Sequence, residues 1–303
     1  MLLERAYAKV NLTLDVNGQR GDGYHDIDMV MQTVDLSDTL WIEDMPGSTT
    51  LAVEASATSV PSGEKNLAYI AADVFRTATG LTRGVKIRID KYIPVAAGLG
   101  GGSADAAAVL RGLNRLWRVG LTLEELAAIG ARIGSDVPFL VHEGCAVATG
   151  RGECLRLVSH PTKAWAVLIR PNLFVSTATV YQAVESYVVR QSPSSTAMVR
   201  NLQAGNLDAV IAGVSNDLLA VAEALYPEIA ELRRRVEMVV KTPVFMSGSG
   251  PTLFCLAPNQ VVAQRYYNAV RGFNKEVYIV RFRPRESKAT DCAGDGQPVS
   301  NWE

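Results

Sequence analysis

Residues 94–108 read Pro94-Val95-Ala96-Ala97-Gly98-Leu99-Gly100-Gly101-Gly102-Ser103-Ala104-Asp105-Ala106-Ala107-Ala108, with four glycines in five positions just before a small-residue run. Glycine lets successive backbone N–H groups turn toward one ligand, and the first turn of a following helix adds unpaired N–H groups and a positive dipole end. Such a loop is suited to holding phosphate. Pro94, Gly98, Gly100, Gly101, Gly102 and Ser103 are therefore the candidate phosphate-binding positions. A Walker A loop is excluded, because no lysine lies between Lys91 and the helix. A dinucleotide fingerprint needs glycine where Ser103 or Asp105 stands, so that loop is excluded too.

A second group of residues could move a proton beside that phosphate. Asp136, in Gly134-Ser135-Asp136-Val137-Pro138, stands at an expected helix entrance, where a carboxylate is stabilised as its anion or serves as a cap. Lys9 is the charged residue of an otherwise apolar, strand-like segment with Ala8, Val10 and Leu12 around it. A buried lysine needs a carboxylate partner. Asn11 lies two positions on and faces the same side of the strand.

Those residues must be positioned by elements that periodicity predicts. Residues 3–18 and 28–43 alternate as strands with a loop at 19–27. Helices are expected at 66–79 and 103–117, with a strand at 85–93 between them. Thr122 with Glu125 forms a capping box for a helix over 123–133, followed by a short helical turn and the strand-like stretch 145–158. A second unit begins near Ala164, with a buried strand at 165–169, helices at 177–189 and 218–239, a strand at 244–256, a helix at 260–271 and a strand at 276–282. Strands and helices alternate without a long βα series, which favours two α+β domains over one doubly wound sheet. Residues 284–303, rich in Pro, Gly, Ser and Asp, read as a mobile tail.

The chain has 303 residues, 48% of them hydrophobic, enough for a large core and two domains. Its 30 basic and 31 acidic residues leave no overall positive field, which argues against nucleic acid as a partner. No apolar run long enough to span a bilayer appears, and the start does not read as a signal peptide, so the expectation is a cytoplasmic protein with no membrane partner. Cys145, Cys154, Cys255 and Cys292 make no metal-ligand pattern with His25, His142 and His160, and free thiols are expected.

Three further segments accompany the glycine loop: Ala6-Tyr7-Ala8-Lys9-Val10-Asn11-Leu12-Thr13-Leu14 with Arg20-Gly21-Asp22-Gly23-Tyr24-His25, then Gly134-Ser135-Asp136-Val137-Pro138-Phe139, then Met246-Ser247-Gly248-Ser249-Gly250-Pro251-Thr252. In order along residues 6 to about 256, the set resembles the galactokinase, homoserine kinase, mevalonate kinase and phosphomevalonate kinase superfamily. Within it, the Lys-Val-Asn-Leu and Asp-Gly-Tyr-His elements are most similar to the branch that acts on a cytidine diphosphate-linked methylerythritol. The Ala96-Ala97 and Ser103-Ala104-Asp105 stretches vary on the loop's pattern.

The resemblance implies an α+β, two-domain small-molecule kinase. Residues 1–160 are the expected N-terminal ATP-binding and catalytic domain, like domain 2 of ribosomal protein S5, and 161–283 a C-terminal ferredoxin-like domain, ahead of the 284–303 tail. It implies ATP as co-substrate, Mg²⁺ with the nucleotide, and phosphorylation of the acceptor's 2-hydroxyl in isoprenoid precursor synthesis by the methylerythritol phosphate route. Lys9 and Asp136 are then expected at that hydroxyl, and Asn66 and Lys91 near the adenine end. Tyr24 and Tyr181 are expected to sandwich the cytosine, His25 to read its edge, and Asn11 to meet the erythritol or phosphate groups. Ser247-Gly248-Ser249-Gly250 is expected to bring the second domain against the cleft. The resemblance does not assign a protein ligand for the metal. Another acceptor alcohol, such as mevalonate or homoserine, and a non-catalytic nucleotide sensor remain open alternatives.

Overall fold

The computed structural model describes residues 1–21, 23–57, 60–61, 63–184 and 195–285. The two long alternating segments become β1 (Leu2–Gln19) and β2 (His25–Met45), paired antiparallel along nearly their whole length. One half of β2 pairs on its other edge with β4 (Gly84–Asp90) and the other half with β5 (Cys145–Gly150). Outside these lie β3 (Leu51–Ala55), parallel to β4, and β6 (Cys154–Leu157), antiparallel to β5. With β8 (Ser215–Asn216), which adds in parallel to β1, they make one seven-stranded sheet.

Against this sheet pack α1 (Leu67–Thr79) and α2 (Gly101–Leu116), followed by α3 (Leu123–Gly130) and α4 (Val137–His142). The small residues of α2 let it sit close to the strands, with Ala104, Ala106, Ala107 and Ala108 all buried. Closest approach is at Gly112, where a Cβ would stand 2.3 Å from Ile42 Cδ1 and 3.1 Å from Glu4 Cγ. The expected capping box opens α3: Thr122 Oγ1 accepts from the Glu125 amide at 3.2 Å and Glu125 Oε2 from the Thr122 amide at 2.7 Å.

The second unit carries β7 (Trp165–Arg170), α5 (Thr177–Ala183), α6 (Ser195–Gln203), α7 (Leu207–Gly213), α8 (Leu218–Leu225), α9 (Pro227–Val240), β9 (Phe245–Met246), β10 (Leu253–Ala257), α10 (Gln260–Arg271) and β11 (Glu276–Arg281). Its antiparallel sheet runs β11-β7-β10-β9, which is the fourth, first, third and second strand of the unit, the ferredoxin-like order. The two sheets are stitched together twice. β8 lies on β1, and past β11 the Arg283 amide donates to the Thr33 carbonyl at 2.9 Å.

Several sequence expectations are corrected. The strand expected at 85–93 ends at Asp90, because the amides of Tyr92 and Ile93 turn to Asp38 Oδ1 at 2.6 and 2.8 Å. The helix expected over 218–239 is two, divided at Pro227, whose missing N–H cannot continue the first. The strand expected over 244–256 is β9 and β10 with the Ser-Gly turn between them, and 145–158 is the β5–β6 hairpin. β3, α6 and α7 were not foreseen. Of the helix expected at 177–189, residues 185–189 lie outside the described residues, as do 286–303 of the expected tail. Among the described residues, no helix is long and apolar enough to cross a membrane.

Because a Cβ at Gly112 collides with Ile42, Gly112→Val should lower the thermal unfolding midpoint by several degrees. Overpacking of this kind costs about 1–3 kcal/mol. A midpoint equal to that of the wild type in a thermal melt contradicts the packing described here.

Candidate active site

The site grows from one stretch of β1. The β1–β2 register shifts between Tyr7 and Lys9 and again between Asn11 and Thr13. Such bulges re-aim side chains. β8 covers the outer edge of β1 only at Thr13 and Leu14, so the edge at Lys9 and Asn11 takes no strand from that side. Two loops meet it instead: the Lys9 amide donates to the Leu99 carbonyl at 3.0 Å and the Asn11 amide to Ser247 Oγ at 3.4 Å.

Those loops also hold each other. Ser247 Oγ donates to the Gly98 carbonyl at 2.9 Å, and the Thr252 amide reaches the Ala97 carbonyl at 3.4 Å. Gly98 has φ +74°, and a Cβ on it would stand 2.3 Å from the Ser247 carbonyl oxygen, so the backbones touch where a side chain cannot fit. The glycine run enters α2 earlier than expected. Gly100, at φ 70°, is the N-cap, and the first helical bond runs from the Ala104 amide to the Gly100 carbonyl at 2.8 Å. The amides of Gly101, Gly102 and Ser103 precede that bond and stand at the positive end of the helix dipole.

Lys9, only 4% exposed, places Nζ 3.4 Å from Asp136 Oδ2 and donates to Asn11 Oδ1 at 2.7 Å. Asp136 occupies the N-cap position of α4, but its side chain makes no capping bond. Its carboxylate therefore faces the lysine instead of the helix. A carboxylate held this way can accept a proton from a hydroxyl placed beside it, with the ammonium offsetting the charge.

Lys9 and Asp136 line a cavity of about 1060 Å³, together with Asn11, the glycines of the loop and Ser103. The far end of the cavity is aromatic. The His25 and Tyr181 rings lie with centroids 5.4 Å apart, tilted by 39°. His25 is 8% exposed, and its buried Nε2 has no hydrogen-bond partner among the described residues. Burial, aided by the Asp136 charge, raises the Tyr181 hydroxyl's pKa and keeps it neutral. Tyr24 is exposed, with the Arg151 guanidinium 5.0 Å from its ring centre.

A smaller cavity of about 210 Å³, lined by Pro94, Asn66 and Lys91 among others, shares Gly101, Gly102, Ala96 and Leu67 with the large one. Asn66 caps α1, accepting from the Ala68 amide at 2.8 Å and donating to the Pro61 carbonyl at 3.0 Å. Lys91, expected at the adenine end, holds its buried ammonium against Asp38 and, at 2.7 Å, against Asp105. Two carboxylates and one ammonium leave an excess negative charge in a buried place. Burial and the Asp38 charge push Asp105 from its ordinary 3.8 up to about 8, despite Lys91.

Sequence reasoning missed Thr177, Asn216 and Arg151. Thr177 Oγ1 and Ser249 Oγ, 2.8 Å apart, tie α5 to the Ser-Gly turn. Asn216 Nδ2 donates to the carbonyls of Met246 and Gly248, each at 2.8 Å, and so holds that turn against β1. Arg151 was signalled by the run Gly150-Arg151-Gly152-Glu153 at the end of a strand.

Residues 66–144 match the model of the GHMP kinases N terminal domain, and 198–276 that of the GHMP kinases C terminal. A 4-diphosphocytidyl-2-C-methyl-D-erythritol kinase of Bacillus pumilus is 46% identical over 92% of this chain and 96% of its own length. The chain belongs to that kinase family. The counterpart from Geobacillus thermodenitrificans is also 46% identical, over 91% of this chain and 95% of its own. A crystal structure of a 4-(cytidine 5'-diphospho)-2C-methyl-D-erythritol kinase superposes with a TM-score of 0.77 at 34% identity, covering 93% of this chain and 99% of the other. Homoserine kinase from Cytophaga hutchinsonii, at 16% identity and a TM-score of 0.73 over 93% of this chain and 95% of its own, shares the fold. As a member of the family, the chain is an ATP-dependent small-molecule kinase with an α+β, two-domain fold.

A carboxyl group whose pKa is higher in the folded than in the unfolded chain binds its proton more tightly when folded. Its contribution to stability therefore falls as pH rises from near 3.8 through about 8. Asp105→Asn removes that dependence while leaving Lys91 its pair with Asp38, so urea melts should favour the variant increasingly across this pH window. A wild-type advantage that grows with pH contradicts the assignment. Gly98→Ala, which forces the two loops apart, should lower kcat/KM by roughly 10²-fold, as misplacements of about 1 Å do in active sites. Steady-state kinetics would detect the loss, and unchanged kinetics would disprove the contact.

Proposed function

We propose that the chain transfers the γ-phosphoryl group of ATP to the 2-hydroxyl of 4-diphosphocytidyl-2-C-methyl-D-erythritol, releasing ADP and the 2-phosphate. One observation carries this reading: a single cavity has the Lys9–Asp136 pair and the glycine loop on its wall together with the His25–Tyr181 ring pair. Phosphoryl transfer takes place on one side, and base recognition on the other.

In this reading the amides of the loop from Gly98 to Ser103 hold the ATP phosphates. Asp136 accepts the hydroxyl proton as the oxygen–phosphorus bond forms and the bond from γ-phosphorus to the β–γ bridging oxygen breaks. Lys9 holds the Asp136 carboxylate through their ion pair and offsets charge on the reacting oxygens during transfer. Asn11, which accepts from Lys9, orients that ammonium and meets the erythritol or its phosphate. Phosphoryl transfer depends mainly on alignment and charge neutralisation, with the base adding roughly 10²- to 10⁴-fold.

At the acceptor end, Tyr24 and Tyr181 stack on the cytosine and His25 reads its hydrogen-bonding edge. The support is the unpartnered, buried His25 Nε2, a polar atom that a base edge would satisfy. Stacking contributes roughly 1–3 kcal/mol per base in single-stranded nucleic-acid sites. Asn66 and Lys91 line the smaller cavity, which is the adenine end in this reading, with Pro94, Gly101 and Gly102.

Mg²⁺ accompanies the nucleotide in this proposal. Among the described residues, no group of three or more His, Cys, Asp or Glu could hold a metal ion, and no step here passes through one. We further place the domain division near residue 160, with the unit 1–160 holding the nucleotide and 161–283 closing the cleft through the Ser-Gly turn. We place the activity in the cytoplasm, as a step of isoprenoid precursor synthesis.

ADP release in the presence of Mg²⁺ should be seen with the cytidyl acceptor and not with mevalonate, homoserine or galactose. Asp136→Asn should lose roughly 10²- to 10⁴-fold in kcat while its dissociation constant for ADP stays within about twofold. Turnover on one of the other alcohols, or wild-type kcat in the variant, would sink the corresponding half of the proposal.

A further inference from the structure

We propose that Arg111 is a positioning residue for phosphoryl transfer, holding β1 and α4 at the spacing that keeps Lys9 and Asp136 paired, a role that rests on Asp136 acting as the base. The Lys9–Asp136 contact of 3.4 Å joins side chains from two different elements, β1 and the start of α4. Among the described residues, no backbone hydrogen bond links those two elements. Asp136 makes no capping bond that would fix its side chain to its own helix, and α4 has only six residues. The spacing is therefore set from outside the pair.

Arg111 supplies the link. It stands on α2, and its N–H groups reach both backbones at once: Nη1 donates to the Leu140 carbonyl of α4 at 2.7 Å, and Nη2 to the Arg5 carbonyl of β1 at 2.9 Å. The Leu140 carbonyl is among the last four of α4, which have no partner inside the helix. Both anchor points are close to the reacting pair in the chain. Arg5 lies four residues before Lys9, and Leu140 four residues after Asp136, whose carbonyl accepts from the Leu140 amide at 3.1 Å. The Leu140 side chain also returns to the site, since a Cβ on Gly100 would stand 3.4 Å from Leu140 Cδ1 and 3.1 Å from Lys9 Cγ.

The guanidinium is itself held. Nη2 stands 3.1 Å from Oε1 of Glu143, the C-cap of α4, and Nε 4.0 Å from Glu4 Oε2. The Arg111 side chain is 16% exposed, and those of Glu143 and Glu4 less, so these pairs are shielded in a way that surface pairs are not. Several donors fixed in one plane are what arginine offers and lysine does not. Arg111 lines neither cavity and lies about 15 Å along α2 from Gly101, so it acts through the elements it ties. Because α2 begins at the glycine loop, one side chain connects the elements that carry the loop, the lysine and the carboxylate.

The test is a double-mutant cycle of Arg111→Met and Asp136→Asn, read as kcat for ADP release on the cytidyl acceptor. Arg111→Met alone should lose roughly 10- to 100-fold in kcat, the scale that a misplacement of about 1 Å produces, while KM for ATP and for the acceptor stays within about twofold. In the Asp136→Asn background the same substitution should cost less than about threefold, because the group it positions is gone. Losses that multiply across the cycle overturn the proposal, since a general effect on the fold is felt with or without the base. Wild-type kcat in Arg111→Met, or a loss confined to KM, overturns it as well. Arg111→Lys, which keeps the charge and loses the fork, should lose less than Arg111→Met. It takes the place of Arg111→Met in the cycle if that variant does not fold, and multiplied losses there reject the role just the same. Wild-type kcat in Asp136→Asn, or a wild type inactive on the cytidyl acceptor, sinks the reading on which the proposal rests, an outcome distinct from an unaltered Arg111→Met beside a crippled Asp136→Asn.

Discussion

The structure depends on an unfilled strand edge. Beyond Thr13, β8 leaves the outer edge of β1 free, and the amides of Lys9 and Asn11 would be unsatisfied donors in a buried place. Both are paired with loops from distant parts of the chain, the glycine loop through Leu99 and the Ser-Gly turn through Ser247. Backbone groups that must find partners thus decide where the glycine loop and the second unit sit. Because the same two residues carry side chains that line the cavity, and Lys9 pairs with Asp136, this stretch of β1 supplies both the contacts that seat the loops and the charged pair in the cavity.

Charge is distributed around this edge in two different ways. At the cavity, Lys9 and Asp136 form a single pair, with the lysine buried and the carboxylate partly open to ligand. Beneath the glycine loop, Lys91 faces two carboxylates in a site closed to solvent, and the surplus negative charge keeps a proton near Asp105. The first arrangement leaves a carboxylate available for a reaction. The second locks the start of α2 to the end of β4 through Asp38, whose other oxygen stops that strand. Lys9 and Lys91 look alike in sequence, as lysines in or beside strands, and differ in their partners.

Asn216 shows how the second unit serves the first. Its amide group holds two carbonyls of the Ser-Gly turn, while the backbone of its own short strand lies on β1. The turn is therefore referenced to the strand that carries Lys9 and does not depend on its own sheet alone. Ser249, bonded to Thr177, extends the same linkage to α5 and hence to Tyr181. The aromatic side of the cavity and the glycine loop are joined through one turn.

Much of the site was legible in the sequence because local rules suffice for it. Glycines before a small-residue helix signal phosphate binding, a lone lysine in an apolar strand asks for a carboxylate, and four ordered motifs carried the family. Alternation and capping gave β1, β2, α1 and the start of α3, since periodicity and Asx or Thr caps act within a few residues. The sequence could not show that Lys91 is matched by Asp38 and Asp105, that β4 stops for Asp38, or that Arg151 stands over Tyr24. Nor could it show that β8 crosses to the other sheet. Each of these rests on groups brought together from far along the chain, where burial and unpaired hydrogen-bonding groups, rather than local propensity, select the partner. Residue types determined which chemistry was possible, and the tertiary structure decided which lysine, which carboxylate and which arginine reach the cavity.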